Sequence, residues 1–203
     1  MIARPPPAFA NMRIGLLGGS FNPPHEGHRH ISLAALSRLR LNKLWWLVTP
    51  GNPLKSAARQ PDLADRLSLA AEMASHPAIE VTGFEAALPT PYAIDTLHFL
   101  RRRFPGVHFV WIMGGDNLAQ FHRWRDWAGL FTMLPILVLD RPGARHEALA
   151  SPAARHFAAS RLPECAAPAL PTLAPPAWIY LSLPLCGLSS TTIREEIGPS
   201  KRP

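Results

Sequence analysis

Cysteine is scarce in this chain: Cys165 and Cys186 are the only two in 203 residues, far apart and in no ligand spacing. A disulfide framework and a thiolate metal site are therefore not indicated, and a reducing cytoplasm fits best. Long apolar runs are missing too. No segment approaches the ~20 residues of a membrane span, and the opening MIARPPPAFANMR lacks the apolar core of a signal peptide, so residues 1–11 read as a short disordered leader. Lysine is confined to Lys43, Lys55 and Lys201. The excess of 21 basic over 14 acidic side chains, a formal charge of +7, is consequently carried by arginine. It suits phosphorylated partners, small or polymeric. A proteome-wide bias towards Arg, Ala and Pro would give the same excess, so charge alone selects no function.

What is present is an alternation. Short β-rich runs (MRIGLLG, KLWWLVTP, IEVTGFE, VHFVWIM, PILVLD, WIYLSL) are each followed by a helical pattern, except that PILVLD leads into Ala, Pro and Arg. Helices are expected over 27–39, 62–74, 92–104, 117–131 and at the C-terminus. The spacings Ile31, Ala35, Leu39 and Leu63, Leu67, Ala70, Ala74 support the first two. Asp62 is a natural N-cap behind Pro61. Such alternation implies an α/β fold, a Rossmann-like doubly wound parallel sheet with helices on both faces. The length suits a single domain over 12–198, with a tail at 199–203. Within it, about 142–176 reads as a weak helix and an irregular Pro/Ala-rich surface connection. In open sheets of this kind ligands bind outside the carboxyl ends of the strands, where strand order reverses.

The stretch GLLGGSFNPPHEGHRHIS, Gly15 to Ser32, lies at that rim. A metal site is one reading, since His25, His28, His30 and Glu26 are ligand types. The spacing misses H-E-x-x-H, because Arg29 stands four after His25, and no Cys is near. An anion site is the other reading. It needs a strand, a tight glycine turn and a helix start whose free N–H groups face a phosphate. Gly18 and Gly19 offer the turn after a strand ending at Leu17, Pro23 and Pro24 stiffen the loop, and Gly27 lets the backbone pass closely before His28 opens the helix. The glycine spacing is neither G-x-G-x-x-G nor a P-loop, and H-x-G-H is the informative part.

Further along, MGGDNLAQFHRW sets Gly114, Gly115 and Asp116 behind a strand; Asp116 suits a helix N-cap or ribose hydroxyls. Trp124 between Arg123 and Arg125 must lie near charged surface, whereas Trp45 and Trp46 sit inside a strand and belong to the core. LSSTTIREE reads as a capped helix start, with Thr192 and Glu195 as a capping box. Alternatively, it is a second helix N-terminus that clamps phosphate with Arg194.

These residues carry a resemblance. GGSFNPPHEGH resembles the G-G-x-F-D-P-x-H-x-G-H signature of nucleotidyltransferases that share a Rossmann-like fold with class I aminoacyl-tRNA synthetases. TPGNPLK, PYAIDTL, WIMGGDNLAQFHRW and LSSTTIR, in that order, are similar to the remaining motifs of bacterial nicotinate mononucleotide adenylyltransferases. The resemblance implies adenylyl transfer from ATP to nicotinate mononucleotide, giving the dinucleotide and pyrophosphate. It implies His25, His28 and Arg194 as catalytic residues. Gly18, Gly19, Ser20, Phe21, Gly27, Lys55, Gly114, Asp116, Ser189, Ser190 and Thr191 would bind ATP. Tyr92, Ala93, Thr96, Asp116, Trp124 and Arg125 would bind the acceptor. Mg2+ would arrive with the triphosphate, held by phosphate oxygens and water, and no metal ligands are assigned to the protein.

Departures from the family pattern are Asn22 for Asp, Leu54 for His, Ala93 for Thr, and an end at Pro203 soon after the last motif. Within the superfamily, a transferase acting on pantetheine phosphate would be shorter and lack the GGDNLAQFHRW context. A nucleic-acid binding module would need clustered arginines and exposed aromatics; here the arginines are scattered, and Trp45, Trp46, Trp111 and Trp178 fall in apolar strands. An inactive binding descendant is disfavoured by intact His25, His28 and Arg194. Neither nucleic acid nor a membrane is an expected partner, and nothing in the sequence specifies an oligomer.

Overall fold

The computed structural model describes residues 4–51 and 61–183. Seven strands form one sheet: β1 (Arg13–Gly19), β2 (Lys43–Val48), β3 (Ile79–Thr82), β4 (His108–Gly114), β5 (Ile136–Leu139), β6 (Arg161–Leu162) and β7 (Trp178–Leu181). Their order is β3-β2-β1-β4-β5-β7-β6, and every pairing is parallel. Parallel strands bury both faces, which is why KLWWLV and HFVWIMG are nearly unbroken apolar runs. Alternate side chains serve opposite cores. Trp45 points into one and Trp46 into the other, and both are wholly buried.

Helices α1 (Glu26–Arg38) and α2 (Leu63–Ala74) cover one face through Ile31, Ala35, Ala70 and Ala74. The other face is covered by α3 (Ala93–Arg103), α4 (Gly115–Gln120) and α5 (Trp127–Met133), joined by α6 (Arg145–Ala150) and α7 (Pro152–His156). Strand order reverses between β1 and β4, whose carboxyl ends lead into α1 and α4. The crevice expected at that reversal therefore lies between the H-x-G-H turn and the Gly114–Asp116 turn.

Several details differ from the sequence reading. The first strand runs through Gly19, paired to Val48 of β2, so Gly18 and Gly19 belong to the strand rather than to a turn beyond it. The helix expected over 117–131 is two helices. Asp126 stands between them in the left-handed region, φ 47° and ψ 46°, and its carboxylate accepts from the Gly129 N–H to start α5. A left-handed residue cannot continue an α-helix, and aspartate tolerates that conformation better than most. Asp62 occupies the N-cap of α2 without a capping hydrogen bond.

The 142–176 segment contributes α6, α7, short 3-10 turns and β6, a two-residue edge strand too short to announce itself. Its small residues Ala148, Ala153, Ala154 and Ala167 are buried, because alanine lets short helices approach the sheet closely. Within the leader, Ala8 packs against the core and the Asn11 N–H donates to the Gly106 carbonyl at 2.8 Å. No helix among the described residues is long and apolar enough to cross a membrane.

Candidate active site

Helix α1 begins one residue before the expected Gly27. His25 is its N-cap in extended geometry, φ −151° and ψ 165°, and His28 is at the third helical position. This brings the imidazoles together, with ring centroids 3.9 Å apart. The His25 N–H donates to His28 Nδ1 at 3.3 Å. Because Nδ1 accepts, the proton of the neutral ring must sit on Nε2, which makes that atom a donor. The His28 ring is held from below. Phe21 packs on it at 4.7 Å and stacks on Trp46 at 4.8 Å, while Trp46 Nε1 donates to Ser32 Oγ, which in turn donates to the His28 carbonyl. Phe21 reaches this position with a left-handed φ of 46°, a strained conformation for an aromatic residue.

Both imidazoles are neutral near pH 7. Burial lowers the His25 pKa to about 4, assisted by the charge of Arg141. His28 is pushed well below its usual value by burial first, then by His25 and Arg141. His25 is only 3% exposed, and neither of its ring nitrogens has a hydrogen-bond partner among the described residues. A buried polar group left unpaired costs about 1–3 kcal/mol, a cost that a ligand's polar atoms would offset. Among the described residues no three His, Cys, Asp or Glu side chains are grouped to hold a metal ion.

Opposite the histidines, β4 delivers Gly114 and α4 delivers Asp116, at the second position of the helix rather than at its N-cap. Arg141, two residues past β5, reaches over to them with its Nε 3.7 Å from Asp116 Oδ1. A Cβ on Gly114 would collide with the Asp116 carboxylate and come within 3.0 Å of Arg141 Nε. The glycine is thus what lets this pair sit directly on the strand end. Gly18 serves packing in the same way: the Trp111 indole lies against it, 3.0 Å from where a Cβ would be.

Trp111 meets Trp124 edge-on at 6.2 Å, and the Arg125 guanidinium lies 4.6 Å above the Tyr92 ring. The buried Trp111 indole thus links Gly18 to the partly buried Trp124. Tyr92 is the N-cap of α3 and Ala93 its first residue. Thr96 is placed differently: it is 1% exposed, and its hydroxyl donates to Glu85 Oε1 at 2.8 Å. The Thr90 hydroxyl is likewise committed, to the Asp95 carboxylate. Lys55, Ser189, Ser190, Thr191 and Arg194 lie outside the described residues, as do Leu54 and the helix expected at the C-terminus.

Two residues at the site escaped the sequence reading. Arg141 could have been found by the rule that picked out Asp116, a charged side chain just past a strand end. Arg66 stands one turn before Ala70 on the buried stripe of α2 and is itself 2% exposed. A charged residue at an apolar helical position was its signal.

Residues 16–196 match a family model described as cytidylyltransferase-like. A probable nicotinate-nucleotide adenylyltransferase of Cereibacter sphaeroides is 53% identical over 183 residues, covering 90% of this chain and 96% of that protein. One from a Bradyrhizobium strain is 52% identical over 190 residues, covering 94% and 99%. Among solved structures, the nicotinic acid mononucleotide adenylyltransferase of Plasmodium falciparum, complexed with NaAD, superposes with a TM-score of 0.69. It shares 13% identity, over 93% of this chain and 85% of that one, a likeness of fold. At half identity along nearly its whole length, with the H-x-G-H turn at the sheet's reversal point, the chain belongs to the nicotinate-nucleotide adenylyltransferases within the cytidylyltransferase-like family.

Proposed function

We infer that this crevice transfers the adenylyl group of ATP to the phosphate of nicotinate mononucleotide, forming nicotinate adenine dinucleotide and releasing pyrophosphate. The observation that carries the reading is the histidine pair. Two neutral imidazoles are fixed at the start of a 13-residue helix, one with its donor tautomer set by the backbone and the other with both nitrogens unpartnered, beside the guanidinium of Arg141.

The acceptor phosphate is already ionised, so the reaction requires no general base. An acceptor oxygen attacks the α-phosphorus as the bond to pyrophosphate breaks. The protein's task is alignment and stabilisation of the spreading charge. His28 Nε2–H, the free N–H groups of α1 and Arg141 supply donors and positive potential at one place. The neutral imidazoles add hydrogen bonds rather than further charge to the field of Arg141, and those bonds strengthen as negative charge builds on the phosphate.

In the same reading, Gly18, Gly19, Ser20, Phe21, Gly27 and Gly114 form the bed for the ATP phosphates with His25, and Asp116 addresses ribose hydroxyls. Lys55, Ser189, Ser190, Thr191 and Arg194 are assigned to the phosphates by their motifs. Tyr92, Ala93, Trp124 and Arg125 form the wall for the pyridine; Thr96 supports that wall from beneath through Glu85. Magnesium enters as part of the nucleotide substrate, neutralising the triphosphate. The nearby carboxylates, Asp116 beside Arg141 and Asp140 beside Tyr180 and Arg145, fit an ion held mainly by phosphate oxygens and water. We place the reaction in the cytoplasm, where ATP is abundant, with no nucleic acid or membrane required.

The test is pyrophosphate release from ATP across a panel of phosphorylated acceptors. Nicotinate mononucleotide is expected to give the highest kcat/KM. No release with any pyridine mononucleotide refutes the reading.

A further inference from the structure

Arg66 is a buried cation whose donors reach no carboxylate among the described residues. Its guanidinium is spent on main-chain carbonyls: Nε donates to Pro61 at 3.2 Å, Nη1 to Ser20 at 2.9 Å and to Thr49 at 2.8 Å, and Nη2 to Pro50 at 3.4 Å. Among the described residues it takes part in no ion pair, and burial pulls its pKa down against the field of Asp62. Ala70 and Ala74, one and two turns later, show what this stripe of α2 otherwise carries. An apolar side chain would have covered the core there without the desolvation of a charge.

The four carbonyls come from three separate segments. Ser20 is the first residue after β1, Thr49 and Pro50 are the first two after β2, and Pro61 precedes α2. Only a planar fork with several donors in fixed directions meets all of them at once, a geometry lysine does not have. Ser20 is joined directly to Phe21, whose backbone is held in the left-handed region and whose ring carries His28. Released from Ser20, the turn can relax that strain, and the His28 donor moves with the ring on which it rests.

We propose that Arg66 is a positioning residue for adenylyl transfer: by tying the Ser20 carbonyl to the end of β2 and the start of α2, it holds Phe21 and thereby aims His28 at the reacting phosphate. The proposal rests on the functional reading above. It separates two roles that look alike in a static structure. A clamp that only stabilises the fold changes how many molecules are active. A clamp that aims His28 changes the rate of each active molecule.

The experiment uses Arg66→Lys and Arg66→Met in the full-length enzyme, at a temperature well below either variant's Tm. Calorimetric titration with nicotinate adenine dinucleotide counts binding-competent sites, and steady-state kinetics gives kcat and KM for ATP and acceptor. The expected result for Arg66→Lys is one site per chain, a kcat per site reduced by about 10-fold or more, and KM values changed by less than about 3-fold. Arg66→Met is expected to show the same split with a larger loss of kcat. A kcat per site within about twofold of wild type in Arg66→Lys overturns the proposal.

If neither variant folds, hydrogen exchange on the wild-type protein decides. A non-hydrolysable ATP analogue should then slow the amides of residues 63–66 together with those of Ser20 and Phe21. Protection confined to Ser20 and Phe21 counts against it. Wild-type protein that releases no pyrophosphate with any pyridine mononucleotide is a different failure, that of the functional reading, and removes this proposal with it.

Discussion

Between about pH 7.5 and pH 4.5 the fold is expected to lose roughly 2–3 kcal/mol through His25 alone. In the native protein this imidazole is 3% exposed, and burial, aided by Arg141, holds its pKa down to about 4 against its ordinary value of 6.5. The native pKa is the lower one, so on acidification the unfolded chain takes up the proton first. The contribution is complete above about pH 6.5 and is lost as the pH falls from there through about 4.

At pH 4.5 the unfolded imidazole is about 99% protonated and the native one only about a quarter, a difference of about 2.5 kcal/mol. His25→Gln keeps similar bulk and cannot titrate. Urea denaturation followed by circular dichroism, for both proteins at both pH values, compares the two directly: the carboxylates are common to both, and the part of the His28 shift that comes from His25 acts in the same direction. Wild type should lose the extra 2–3 kcal/mol at about the same m-value. If both proteins lose the same stability, His25 is not buried neutral, and the argument that its nitrogens await a ligand fails with it.

His28→Ala is expected to lower kcat by about 100-fold or more with little change in Tm, since a donor aimed at developing phosphate charge is worth about 3–4 kcal/mol; an unchanged rate would refute that role. Gly114→Ala should leave Tm nearly unchanged, because its φ of −80° suits alanine and the clash falls on the movable ends of Asp116 and Arg141. Those ends belong to the site, so kcat/KM is expected to fall about 10-fold; retained activity would mean that the Asp116–Arg141 pair does not matter. Wild type should prefer nicotinate over nicotinamide mononucleotide by at least about 10-fold in kcat/KM, and Trp124→Ala should narrow the ratio by raising the acid's KM. Ala93 offers no hydroxyl and Thr90 is engaged with Asp95, so the preference falls to the basic wall and backbone donors. Equal use of both acceptors would defeat the acid-specific assignment.

The sheet was legible because each buried parallel strand is an apolar run too short for a helix, and Gly/Pro turns separate it from the next helical pattern. The edges were not. Arg161–Leu162 pairs over two residues, below any periodicity, and the break at Asp126 depends on one left-handed residue within an otherwise continuous helical pattern. At the site, His25 and His28 stood out because their neighbours, two prolines and a glycine, dictate the helix start. Arg141 and Arg66 did not, since their roles arise from distant strands meeting in space. Asp116 pairs with Arg141 across 25 positions, and Ser20 with Arg66 across 46.

The division of the sheet into two faces carries a consequence for how such an enzyme can change. The histidine turn is braced by Trp46, α1 and α2 on one side; the aromatic wall is braced by Trp111, α3 and the α4–α5 break on the other. In the proposed reading the histidine turn and the pyridine wall thus rest on separate cores, with Asp116 and Arg141 at the strand ends between them. Substitutions that reshape that wall can accumulate on their own face while the histidine turn keeps its support intact. A change of acceptor need not pass through loss of the reaction.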